Sequence, residues 1–118
     1  MILEKCGPPN APLNCGATIL HQIVVMGDHV KPEERLAFAT AALDAGARMD
    51  LRDDLLKSTP LGWACRWGRE ELVRLFLERG ADPLENDAEP WATPIAWAKK
   101  KGHNTVLSVL QAAGARRA

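Results

Sequence analysis

A chain of 118 residues is the size of one domain, large enough to bury a core without metals or disulfides. Its composition, 47% hydrophobic and 25% charged, is that of a soluble globular protein, with fifteen Lys and Arg balancing fifteen Asp and Glu. That balance gives no global field favouring nucleic acid or an anionic membrane, and no apolar run approaches the roughly 18 residues needed to span a bilayer.

The first residues, Met1 to Asn10, have too short an apolar stretch for a secretory signal. Ile2-Leu3-Glu4-Lys5-Cys6-Gly7-Pro8-Pro9 instead has the pattern of Phe76 to Pro83, the end of a helix and the turn after it. Residues 1–16 are therefore expected to form a partial repeat. Thr18-Ile19-Leu20-His21 opens a short helix, Gly27-Asp28-His29-Val30-Lys31-Pro32 interrupts it, and Pro32-Glu33-Glu34 opens a second. Gly46-Ala47 closes that unit.

A polar turn over Asp50 to Ser58 leads to Thr59-Pro60. Here the threonine serves as N-cap and the proline occupies a first helical position that wastes no backbone N–H. That helix runs to Gly68, where left-handed geometry can end it. The next carries Leu72, Val73, Leu75, Phe76 and Leu77 on one broad face, with Glu70, Glu71, Arg74, Glu78 and Arg79 elsewhere, and stops at Gly80. Asp82, Pro83, Asn86, Asp87 and Pro90 describe another turn-rich excursion. Thr93-Pro94 then restarts the pattern, through Gly102 and an apolar face of Val106, Leu107, Val109 and Leu110, to an expected stop at Gly114.

The last two units superimpose. Thr59-Pro60-Leu61 falls on Thr93-Pro94-Ile95, Trp63 on Trp97, Ala64 on Ala98, Gly68 on Gly102 and Gly80-Ala81 on Gly114-Ala115, each pair 34 residues apart. The first unit takes 28 residues from Thr18 to Gly46, against 21 from Thr59 to Gly80, so seven extra residues lie between its helices.

The period and the segments TPLGWAC and TPIAWAK resemble the ankyrin repeat, with its T-P-L-H-x-A signature. Gly62 and Ala96 stand where that signature has His, which predicts a looser stack of turns; His21 keeps the residue and is expected to hydrogen-bond. The resemblance covers about residues 2 to 117. It implies an all-α repeat solenoid of three antiparallel helix pairs joined by projecting β-hairpin-like turns, after a partial N-terminal repeat. The expected divisions of this single domain are 1–16, 17–49, 50–83 and a capping repeat at 84–118. They suit the C-terminal stretch of a longer array.

Such a stack implies a non-catalytic protein–protein interaction module that uses its concave helix surface and turn tips. Helix ends contribute Val25, Met26, Arg66, Trp67, Lys100 and Lys101; tips contribute Arg52, Leu55, Leu56, Ser58, Asn86, Glu89, Pro90 and Trp91. Trp67 beside Arg66 has hot-spot composition. Leu55-Leu56 and Pro90-Trp91 would make an apolar ridge across adjacent tips. Trp63 and Trp97, at equivalent positions, are expected in the core, and His103 after Gly102 is expected to be structural.

Other classes fit less well. Asp53-Asp54 is the nearest carboxylate pair, but it lies on a turn, and no phosphate-binding loop or nucleophile motif occurs. Lys99-Lys100-Lys101 and Arg116-Arg117 form a basic end, countered by acidic tips, so no nucleic-acid partner is expected. Cys6, Cys15 and Cys65 are odd in number and lack C-x-x-C spacing, which points to reduced thiols in an intracellular, cytoplasmic protein without metal or cofactor. The partner is expected to be another protein, met by a monomer or weak dimer with no membrane attachment. The alternative is a structural or oligomerisation spacer within a longer multidomain protein.

Overall fold

The structure, a computed structural model, describes residues 18–27, 29–53 and 56–117, with side chains to Gly114. Among the described residues six helices follow in pairs: α1 (Ile19–Val24) and α2 (Pro32–Asp44), α3 (Pro60–Trp67) and α4 (Glu70–Glu78), α5 (Pro94–Lys101) and α6 (Asn104–Arg117). The first helix of each pair packs on the next to form an inner row, α1–α3–α5, and α2–α4–α6 forms an outer row behind it. The result is a helical solenoid in which each pair meets only its neighbours.

The expected punctuation is present. Thr59 Oγ1 accepts from the Gly62 N–H at 3.3 Å, and Thr93 Oγ1 from the Ala96 N–H at 3.1 Å. Gly68 (φ 70°) and Gly102 (φ 72°) end the inner helices in the left-handed region. Between the rows lie Leu20, Ile23, Val24, Leu61, Ala64, Cys65, Leu72, Val73, Phe76, Ala98, Val106 and Leu110, all buried. Gly114 does not stop α6, which continues to Arg117. Its missing Cβ serves packing instead, since a methyl there would lie 3.0 Å from Leu84 Cδ2.

The projecting β-hairpin-like turns are not there: among the described residues no β-strand occurs. Side-chain carboxylates fold these connections where a ladder was expected. Asp53 Oδ2 accepts from the Leu56 N–H (2.7 Å) and Oδ1 from the Ser58 N–H (3.1 Å), beside a backbone bond across that loop from Asp53 N–H to Ser58 O. In the next loop Pro83 and Pro90 have no N–H to give, and Ala88 and Ala92 each bond three residues back, to Glu85 and Glu89. Lys57 and Glu85 take left-handed φ values of 53° and 44°, which breaks extended pairing. The expected partial repeat at 1–16 lies outside the described residues.

The extra residues of the first unit sit between α1 and α2. Arginines from two units hold them. Arg69 donates through Nε to Val24 O (3.0 Å) and through Nη2 to Met26 O (3.1 Å); buried Arg35 donates through Nη2 to Met26 O and Val30 O. Arg35 Nη1 also meets Glu71 Oε1 at 3.3 Å.

Candidate partner-binding surface

Spacing on the inner helices brings their aromatic residues together. Trp63 and Trp67 are four apart on α3, hence on one face, with ring centroids at 5.2 Å. His21 on α1 meets the edge of Trp63 at 4.8 Å. From the last turn of α3 the Arg66 guanidinium lies 4.4 Å over the Trp67 ring and 5.3 Å from that of Trp97 on α5. Lys100 Nζ is 5.6 Å from the Trp97 centroid, and Trp91 meets Trp97 edge-on at 6.1 Å. Rings and cations thus form one ladder across all three inner helices. Trp67 and Arg66 are half-buried, while Lys100 and Lys101 are exposed. Behind the ladder His103 Nε2 lies 3.1 Å from Arg66 O, and its ring occupies the space that a Cβ on Gly68 would need.

The opposite, N-terminal ends of the inner helices are polar and interlocked. His21 Nδ1 accepts the Thr18 N–H at 2.9 Å, so Nε2 carries the proton and donates to Ser58 O at 2.9 Å. Burial is the main reason its pKa is lowered from 6.5, against the opposing pull of Ser58 O and Asp53. Ser58 Oγ accepts from Trp97 Nε1 at 2.8 Å, and Asp53 Oδ1 accepts from Trp63 Nε1 at 2.9 Å. The Trp97 indole thereby joins two repeats where Gly62 and Ala96 replace the signature His, while the Trp63 indole braces the loop of its own unit. Burial opposes the charged form of Asp53, yet donation from Leu56, Trp63 and Ser58 together holds its carboxyl below the ordinary range.

Beside this network an open groove of about 530 Å³ runs past Met49, Asp50, Arg52, Thr59, Asp82 and Glu85. Thr59 Oγ1 donates to Glu85 Oε2 at 2.5 Å, and Arg52 reaches Asp87 at 3.1 Å and Glu85 at 3.7 Å. Burial pushes Glu85 up to about 7, against the lowering effects of Thr59 and Arg52. The folded state therefore holds this proton more tightly than the unfolded chain, whose value is near 4.5. The stabilisation is complete below 4.5 and is lost as pH rises through 7. Glu85→Gln is expected to raise unfolding free energy at pH 8 by about 1–2 kcal/mol. With that branch removed, the opposite trend of His21 should show as a loss of stability when pH falls below 6.5. Urea titrations of both proteins between pH 5 and about pH 8 read this out.

Paired helices and left-handed glycine ends recur through the stack, with Thr-Pro caps in its last two units, and a family model described as the ankyrin repeat matches residues 57–88. The chain carries an ankyrin-repeat domain. Over 57 residues it is 42% identical to palmitoyltransferase Hip14 of Drosophila melanogaster, and over 59 residues 39% identical to palmitoyltransferase ZDHHC13 of Mus musculus. These matches cover 48% and 50% of the chain but 9% and 10% of the relatives. The chain thus spans about a tenth of the length of the curated relatives it matches.

The ankyrin stack distributes the predicted contact residues unevenly. Arg66, Trp67 and Lys100 come together at the ladder and Lys101 is exposed, whereas Val25 and Met26 lie half-buried at the arginine-held loop. Asn86, Glu89 and Pro90 are exposed, and Trp91 is 50% exposed. Ser58 is fully buried, because its hydroxyl and carbonyl join neighbouring repeats. Arg52 is half-buried in its ion pairs, and Leu56 packs against the core. Leu55 lies outside the described residues, so the apolar ridge of Leu55, Leu56, Pro90 and Trp91 is not assembled from what is described.

Trp97 is buried as expected, but Trp63 is half-buried and joins the ladder. The i, i+4 spacing of Trp63 and Trp67 was the available sign. Among the described residues, no group of three or more His, Cys, Asp and Glu could hold a metal ion, and no helix is long and apolar enough to cross a membrane.

Proposed function

We propose that this chain is a non-catalytic protein–protein interaction module whose partner lies along the inner helices. The ladder of Trp63, Trp67, Arg66, Trp97 and Lys100 carries this reading: it aligns large rings and cations of two repeats along one face, with His21 of the first unit at the edge of Trp63. Aromatic and arginine side chains of this kind dominate interface energetics. The candidate contacts extend to Met26 and to the tip residues Arg52, Asn86, Glu89, Pro90 and Trp91. Units at 17–49, 50–83 and 84–118 each contribute one inner helix, and a monomer or weak dimer leaves the face free. An intracellular, cytoplasmic setting suits the buried free thiol of Cys65. The palmitoyltransferase activity named for the relatives is not carried over, since the matched stretch is about a tenth of each.

The test is capture of partners by the whole chain and by its Trp67→Ala and Arg66→Ala variants. Each variant should keep a cooperative melting transition and weaken binding by about thirtyfold or more. Full binding by both folded variants would move the site off the inner helices.

A further inference from the structure

Of the arginines whose side chains are described, all but Arg66 donate to a carboxylate or a backbone carbonyl. Arg66 has neither among the described residues; its guanidinium rests on Trp67 and Trp97, and its Nε is buried without a hydrogen-bond partner. Lys99, Lys100 and Lys101 stand one helix away at the same end of the inner row, and no described carboxylate forms an ion pair with them. The carboxylates Asp53 and Glu85 sit at the other end, beside the N-termini of the inner helices, already engaged by Trp63 and Thr59.

Cations in the last turn of a helix do favour its dipole, but that effect acts at full exposure and does not require a guanidinium seated between two indoles. Ring faces compensate only part of the hydration such a group loses, while its planar fork matches a carboxylate in two parallel hydrogen bonds.

We propose that the partner segment is an extended acidic peptide: an Asp or Glu side chain pairs with Arg66, Lys100 and Lys101 add attraction, and a neighbouring apolar side chain covers Trp67. This rests on the reading of the inner face as the binding surface, and narrows it to one partner chemistry.

The probes are three capped peptides of equal length with cores Leu-Glu-Glu-Leu, Leu-Gln-Gln-Leu and Leu-Lys-Lys-Leu, together with a short poly(U) RNA. Binding is followed through the tryptophan indole N–H resonances of the whole chain, assigned with single Trp→Phe variants. The Glu peptide should shift the Trp67 and Trp97 signals and bind at least about tenfold more tightly than the Gln peptide, with the Lys peptide weakest. Arg66→Gln should abolish the preference and Arg66→Lys should restore part of it. A Lys100→Gln/Lys101→Gln variant should reduce the salt dependence of binding.

Equal binding of Glu and Gln peptides with the same indole shifts would overturn the acidic partner while leaving the binding face in place. Glu-peptide shifts confined to Trp91, or no binding by any peptide, would overturn the proposal outright. So would RNA binding more tightly than the Glu peptide.

Discussion

Asp53→Ala is expected to lower the unfolding free energy by about 3–4 kcal/mol, among the largest effects of any single polar substitution in this chain. The side chain is 2% exposed and accepts from the backbone of Leu56 and Ser58 and from the Trp63 indole. Truncation strands three donors in a place where water cannot easily replace the carboxylate. The loop it holds also presents Ser58 O to His21 and Ser58 Oγ to Trp97, so damage should spread to both neighbouring repeats.

Asp53→Asn keeps the shape and one good acceptor, and should cost about half as much. Because the folded carboxyl is held below its ordinary value, its stabilisation is present above that value and is lost as pH falls through the folded one. Urea unfolding near neutral pH gives the size of the effect. Repeating it in acid should show the difference between wild type and Asp53→Ala shrinking.

Trp97→Ala should cost about 3–5 kcal/mol, the range for emptying a buried aromatic site. Trp97 is 4% exposed, donates to Ser58 Oγ, and lies close to Gly62, where a Cβ would stand 3.6 Å from its Cδ1. It also supports the ladder: Trp91, Arg66 and Lys100 all rest on its ring. Trp97→Phe retains most of the packing and loses the N–H, a cost of about 1 kcal/mol. Denaturant midpoints separate the two variants. Binding should follow the same order, with the Phe variant retaining its partner.

The helix pairs were legible in the sequence because each boundary depends on local chemistry. A threonine caps the helix that follows it, and a glycine accepts φ near 70° at its end without a steric cost, so Thr59, Thr93, Gly68 and Gly102 could be placed from spacing alone. His21 was legible through its place in the ankyrin signature.

The connections were not. Their form is decided by single side chains reaching backward or across, such as Asp53 to Leu56 and Ser58, and Glu85 to Thr59 in the preceding unit. A turn-rich composition suits a hairpin and these loops equally well. Gly114 misled for a related reason: glycine ends a helix only where the chain must turn, and here it admits Leu84 instead.

In the candidate site, Arg66 and Trp67 were marked by composition. The joining of Trp63, Trp97 and Lys100 to them depends on how one repeat stacks upon the next. Arg69, which ties the enlarged first unit to the second through Val24 O and Met26 O, carried no sign beyond its charge.

The most direct measurement of the central claim is amide and indole hydrogen exchange of the whole chain, free and bound to a captured partner. Binding along the inner row predicts slowed exchange at the Trp63, Trp67 and Trp97 indoles and through the last turns of α3 and α5, with α4 and α6 unchanged. Protection confined to the outer helices, or to the loop around Asn86 and Pro90, would contradict it.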